Sequence, residues 1–127
     1  SSNLIGSVED LEILPRLCRS GRKGLYLPHI AIRHKVPPGR LTMAYHRRWH
    51  TGHGRFYARL GDEEFERSRG RLLDVPLHMY RQAASASLQW LKLRFLGREH
   101  EAFTAETQLR FLIGFFLERR QASRRRE

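Results

Sequence analysis

Two adjacent carboxylates near the start of the chain, Glu9 and Asp10, are the first residues that could do chemistry. A carboxylate that projects into a cleft can serve as a general base for a substrate hydroxyl. Ser7 stands three residues before Asp10, and this spacing is typical of a helix N-terminus, where acidic residues complement the helix dipole. The pair therefore has two interpretations, a catalytic base with its partner or simple compensation of the dipole.

Three histidines form a second candidate site. His46, His50 and His53 recur at the i, i+4 and i+7 positions of a predicted helix, a spacing that can hold zinc. Their segment contains no carboxylate, and the neighbouring Arg47 and Arg48 would repel a cation. A metal site, a phosphate contact and a plain polar helix face all remain open.

The same predicted helix interleaves arginines with aromatic residues. Guanidinium groups suit bidentate binding of phosphate, and aromatic rings beside them can stack on nucleic acid bases. The alternative is a helix whose aromatic residues are buried and whose arginines are solvated. The residues concerned are Arg40, Arg47, Arg48, Arg55, Tyr45, Trp49, Phe56 and Tyr57.

Composition limits the classes of protein to which the chain can belong. Its 127 residues carry a formal net charge of +11, which favours anionic partners such as nucleic acid, phosphate-bearing ligands or an anionic membrane. The single cysteine, Cys18, cannot form an internal disulfide, so a reducing, cytoplasmic location is expected. No run reaches the roughly 20 apolar residues that a membrane-spanning helix needs.

Helix-start and helix-stop residues predict a mainly helical α+β chain with one short strand region. An extended segment is expected at 24–35, with Pro28 placing part of it at an edge or a bend. A highly charged loop is expected at 61–75, and a basic disordered tail at 119–127. The four predicted helices cover approximately residues 7–19, 42–60, 76–96 and 99–118, with Thr42 as the cap of the second and Gly97 at the end of the third.

The last two predicted helices are basic and amphipathic. They have two interpretations, a hairpin whose apolar stripes pack together or a pair that lies in a membrane interface. Phe111 and Phe115 lie off the main stripe of the last helix, so its apolar band is too wide for one hairpin, and further protein or lipid should cover it. The stripes are Leu77, Tyr80, Ala84, Leu88, Leu91 and Phe95, then Leu109, Leu112, Ile113, Phe116 and Leu117.

A series of short motifs occurs in a fixed order along residues 4–60. This order resembles the acceptor-side half of a bacterial family 2 glycosyltransferase with the GT-A fold. The motifs are Glu9-Asp10-Leu11-Glu12, Arg16-Leu17, Gly21, Leu25-Tyr26-Leu27-Pro28, Ile32-Arg33-His34, Val36-Pro37-Pro38-Gly39-Arg40-Leu41-Thr42, Tyr45, Arg47-Arg48 and Gly52.

The resemblance implies a role for five residues. Asp10 matches the general base that deprotonates the acceptor hydroxyl, and Glu9 matches its partner, which positions the acceptor. His34, otherwise an exposed histidine at a strand end, matches the residue that meets a divalent metal (Mg or Mn) or the diphosphate. Arg47 and Arg48 match basic residues at the diphosphate. The implied substrates are a nucleotide-sugar donor and a glycan or lipid-linked acceptor, joined by inverting transfer.

The chain also departs from the family pattern. Val8 replaces the usual Gly, Pro15 interrupts a helix, and Tyr45 replaces the Gln of the processive synthase motif. The D-x-D motif and the nucleotide-binding half are missing, so residues 1–60 are expected to be the C-terminal part of a catalytic domain, inactive alone.

The organisation then continues with the loop at 61–75, the amphipathic hairpin at 76–118 and the tail at 119–127. The alternative function is a noncatalytic basic helical module that binds an anionic membrane surface or, with less support, nucleic acid. Either function would place the chain in the cytoplasm, peripheral to the inner face of the cell membrane.

Overall fold

The computed structural model describes residues 9–61 and 70–125. This part of the chain is mainly helical, with four α-helices and one small antiparallel strand pair, which confirms the predicted class. Ser7 and Val8 lie outside the described residues. The elements are α1 (Glu9–Arg19), a 3-10 turn (Pro38–Leu41), α2 (Met43–Leu60), β1 (Arg71–Leu72), β2 (Val75–Pro76), α3 (Leu77–Phe95) and α4 (Glu99–Arg124).

Helix boundaries follow the residues that begin and end them. The Thr42 side chain accepts a hydrogen bond from the backbone N–H of Tyr45 at 3.2 Å, which caps α2 as predicted. Gly61 ends α2 and Gly97 follows α3, both with the positive φ that glycine adopts without strain. Helix α1 includes Pro15 and continues on both sides of it.

Helix α4 is the common neighbour of α2 and α3. Ion pairs from Arg47 to Glu106 and from Arg59 to Glu118 show that α2 and α4 run in the same direction. Helix α3 precedes α4 through a short turn and packs antiparallel to it, because Met79 near the start of α3 shares a cluster with Phe115. Neither α1 nor the segment before α2 packs extensively on this three-helix unit.

Helices α2 and α4 meet at two glycines. A Cβ on Gly54 would overlap the backbone carbonyl of Phe111, and a Cβ on Gly114 would overlap that of Thr51. The two backbones are therefore in direct contact at the crossing, which only residues without a side chain allow.

The core lies between α4, Ala58 of α2 and the strand pair that leads into α3. Phe115 and Met79 are fully buried, with 0 % of their surface exposed, and Val75 and Leu112 pack beside them. A smaller cluster joins Leu93 of α3 to two alanines of α4.

The predictions about the two amphipathic faces have different outcomes. The hairpin alone does not cover the wide apolar band of α4, as expected, and the cover is α2 of the same chain, which makes Phe115 the most buried side chain of α4. The predicted stripe of α3 is mostly exposed, although its Tyr80 stacks on Phe116 of α4. Met79, Ala86 and Leu93, on the opposite side of the helix, are the buried residues.

Three other predictions need correction. Residues 22–37 contain neither helix nor strand, so the extended segment at 24–35 is not a β-strand. The strand pair is instead at 71–76, within the predicted charged loop, of which 62–69 lie outside the described residues. Helix α4 continues to Arg124, so the predicted tail is helical as far as that residue.

Candidate functional site

The outward face of α3 carries a row of exposed apolar side chains. Leu88 is 69 % exposed and Phe95 is 88 % exposed, although residues of this size are usually buried. Their heptad-like spacing keeps them on one side of the helix, opposite Met79, Ala86 and Leu93. We call this row the α3 stripe; it comprises Leu77, Leu88, Leu91 and Phe95.

The helix that carries the α3 stripe has no acidic residue. Residues 75–98 contain neither Asp nor Glu. Arg81 lies four residues after Leu77, and Lys92 lies four residues after Leu88, so both exposed cations lie beside the stripe. The face therefore combines exposed apolar surface with positive charge.

The carboxylates of residues 70–125 do not offset this charge, because each is already paired with an arginine. Two arginines hold Glu106: Arg47 donates two hydrogen bonds, of 2.7 and 2.9 Å, and Arg110 donates two more, of 3.2 and 3.3 Å. These contacts, with Arg47 the larger contributor, lower the pKa of Glu106 despite its partial burial. The remaining pairs are Arg71–Asp74, Arg119–Asp74, Arg94–Glu99, Arg98–Glu101 and Arg59–Glu118.

Residues 13–61 form a strongly basic segment. Residues 13–61 contain eleven Lys and Arg residues and no Asp or Glu. Much of this stretch is exposed, including apolar residues such as Leu25, Tyr26 and Ile32. Positive charge thus extends well beyond α3.

The three histidines of α2 lie among aromatic rings. His53 stacks on Trp49 with 4.6 Å between ring centroids and also contacts Tyr57 and Phe111. Burial lowers the pKa of His53, and burial together with the charges of His46 and His53 lowers that of His50. Within residues 9–61 and 70–125, no group of three or more His, Cys, Asp or Glu side chains is arranged to hold a metal.

A groove of about 530 Å³ lies between the three packed helices. Its lining contains no charged residue, which is unusual in a chain of net charge +11. The lining combines amide and hydroxyl side chains with an apolar floor. The lining residues are His50, Gln82, Ser85, Ala86, Gln89, Thr107, Gln108, Phe111 and Leu112.

The five residues implicated by the glycosyltransferase resemblance lie on separate elements. Glu9 and Asp10 open α1, but their side chains are outside the described part. His34 lies in the exposed segment before α2, and a metal there stays a prediction. Arg47 is held by Glu106, whereas Arg48 is exposed on the same helix.

Comparisons with protein families, curated proteins and solved structures find no match to this chain. Within the described ranges, no helix has the length and apolar content needed to cross a membrane.

Sequence reasoning listed the residues of the α3 stripe but not which way they face. Periodicity favours the larger side chains as the buried face, whereas α3 packs partly through Ala83 and Ala86. The missing carboxylates of residues 75–98 were the available signal, because they leave this helix with positive charge only.

Proposed function

We propose that this chain is a peripheral module that binds an anionic membrane surface through the α3 stripe. One observation carries the proposal: the most exposed large apolar residues of α3 share a face with exposed cations on a helix without carboxylates. Helices that lie in a membrane interface have this composition, with apolar side chains entering the acyl boundary and Lys or Arg facing the headgroups.

Both parts of the face contribute free energy of binding. Removing a large apolar side chain from water is worth about 1.5–3 kcal/mol when burial is complete. Each Lys or Arg near an anionic surface adds about 1 kcal/mol. Arg81 and Lys92 would supply the electrostatic part, and Leu88 and Phe95 the apolar part.

Charge also argues against the other occupants of this face. A second copy of the chain would bring Arg81 and Lys92 close to their own equivalents without a carboxylate between them. Nucleic acid would satisfy the cations but would leave Leu88 and Phe95 in water. An anionic lipid surface satisfies both kinds of group.

The exposed N-terminal stretch extends the same chemistry. Its apolar residues alternate with Arg and Lys, as in Arg22-Lys23-Gly24-Leu25-Tyr26 and Ile32-Arg33. Because residues 13–61 lack carboxylates, an anionic surface would attract this part of the chain as well.

Vesicle co-sedimentation tests the proposal. Wild-type chain should bind phosphatidylcholine vesicles that contain phosphatidylserine, bind pure phosphatidylcholine weakly, and lose affinity as salt rises. L88Q/F95Q should lower the affinity at least tenfold, because two apolar side chains no longer enter the interface. The matched control is I113Q, which replaces a side chain that is 44 % exposed on α4.

Either of two results would overturn the proposal. One is equal binding by wild type and L88Q/F95Q. The other is a wild-type chain that does not bind vesicles and sediments as a dimer, together with an L88Q/F95Q variant that sediments as a monomer. That result would make the α3 stripe a contact between two copies of the chain.

A second candidate function is the acceptor side of a glycosyltransferase. Its supporting observation is that Glu9 and Asp10 lie in the helix α1, which fits the helical setting that the resemblance implies for this pair. Acceptor binding can be tested with a glycan array, on which D10N should lose signal and E12Q should keep it. No bound glycan, or equal loss in both variants, would remove this candidate.

A further inference from the structure

The uncharged groove and the α3 stripe share one helix. Gln82, Ser85 and Gln89 line the groove from α3, at i, i+3 and i+7. Arg81 comes directly before Gln82 and four residues before Ser85, whereas Lys92 comes three residues after Gln89. On a helix these spacings place the two cations between the groove and the stripe.

The position of the groove at a membrane follows from this arrangement. If the α3 stripe lies in the acyl boundary, Arg81 and Lys92 lie at the level of the lipid phosphates. The groove lies beyond these cations on the circumference of α3 and then opens into the headgroup layer. A lipid whose phosphate meets these cations would place its headgroup near the glutamines.

The groups in the groove suit hydroxyls rather than charges. Each glutamine amide can donate and accept hydrogen bonds. The Thr107 hydroxyl donates to the backbone carbonyl of Thr104 at 2.7 Å, so its oxygen presents lone pairs to the groove. Burial and neighbouring histidines lower the pKa of His50, which favours its neutral form. Phe111 and Leu112 give the groove an apolar floor against which C–H groups can pack.

We propose that this groove binds the polyhydroxylated headgroup of an anionic lipid, such as glycerol or inositol, whose phosphate contacts Arg81 and Lys92. This inference rests on the proposed function, because it needs the α3 stripe to lie at a membrane. It adds a selectivity that charge alone does not produce, since phosphatidylserine carries the same net charge but an amino-acid headgroup.

The test compares two anionic lipids at equal surface charge. Vesicles of phosphatidylcholine with phosphatidylglycerol, or with phosphatidylserine, are matched by zeta potential and used for co-sedimentation with the full chain. Wild type should bind the phosphatidylglycerol vesicles about fivefold more tightly, the effect of about one net hydrogen bond. Q82A/Q89A should lose this preference and keep its affinity for phosphatidylserine vesicles, because both glutamines are exposed and no core packing changes.

The matched control is Q121A, which removes an exposed glutamine of α4 outside the groove and should keep the preference. Equal binding to the two lipids by wild type would overturn the headgroup proposal and leave membrane binding intact. A preference that survives in Q82A/Q89A would overturn the role of the groove. The binding of L88Q/F95Q to the two kinds of vesicle tests only the proposed function, and loss of both is the expected result. The two proposals can therefore fail separately.

Discussion

The two neighbours of α4 are held by different kinds of contact. On the α2 side, backbones touch at Gly54 and Gly114, and ion pairs from Arg47 and Arg59 lie on either side of that contact. On the α3 side, the contact is mainly apolar and brings Met79 and Val75 against Phe115, which Ala58 of α2 also contacts at the edge of the same cluster. The α2 contact thus combines ion pairs and touching backbones with a smaller apolar part, whereas the α3 contact depends on packed apolar side chains.

This difference indicates how each helix finds its position. Ion pairs and a glycine contact are directional, and they fix the axial register of α2 on α4. Apolar packing is less directional but supplies more free energy per residue. We therefore expect the α3 side to dominate stability and the α2 side to define geometry, and four predictions address this contrast in order of decreasing effect.

The largest effect is expected at the centre of the apolar side. Phe115→Ala should lower the free energy of unfolding by about 3–5 kcal/mol, because it removes a fully buried ring and leaves a cavity. Urea unfolding measures the change. Ile113→Ala, at an exposed position two residues earlier, serves as the control. Similar losses in both variants would contradict the assigned core.

The next effect is expected at the helix crossing. Gly114→Ala should lower the free energy of unfolding by about 1–3 kcal/mol, because the new methyl group would push the Thr51 carbonyl and α2 away. Thermal unfolding followed by circular dichroism measures this change. Gly24→Ala, where a Cβ has open space, should have little effect. An unchanged melting temperature for Gly114→Ala would argue against close contact of the backbones.

A gain in stability is expected at the turn that leads into α3. Leu73 is exposed and has φ of +51°, a conformation that L-residues with bulky side chains disfavour by about 1–2 kcal/mol. Leu73→Gly should therefore raise the free energy of unfolding by about 1 kcal/mol, after allowance for the entropy of glycine. Leu72→Gly, which has no positive φ to relieve, should not stabilise the chain. A lower melting temperature for Leu73→Gly would contradict the turn geometry.

The smallest effect is a pH dependence on the α2 side. The folded pKa values of His50 and His53 lie below their ordinary value of 6.5, so these groups bind protons more readily when unfolded. Their contribution to stability is thus complete above pH 6.5 and declines as pH falls toward the folded pKa values. Urea unfolding at several pH values should show this decline, and His53→Phe should reduce it. A flat wild-type profile would contradict the lowered pKa values.

Sequence patterns anticipated the local features of this fold better than the packing. The cap at Thr42 and the glycines after α2 and α3 depend on nearby residues only, and the structure confirms them. The burial of Phe115 depends on α2, which is distant in sequence, so the periodicity of α4 alone could not reveal it.

The candidate site shows the same difference between local features, which the sequence predicts, and long-range packing, which it does not. The residues of the α3 stripe were identifiable from their spacing, but their exposure depends on α3 packing through its opposite face. The pairing of Arg47 with Glu106 was not anticipated, because a partner 59 residues away leaves no local signal.

That separation of 59 residues has a consequence for how the chain folds during its synthesis. Helices α3 and α4 adjoin in sequence and can pair as soon as both have left the ribosome, whereas α2 emerges well before its neighbour α4 exists. Contacts between distant residues also form more slowly than local ones. The aromatic and histidine-rich surface of α2 is therefore exposed to water until α4 has been synthesised. We expect α2 to be the part of the nascent chain that a chaperone binds most.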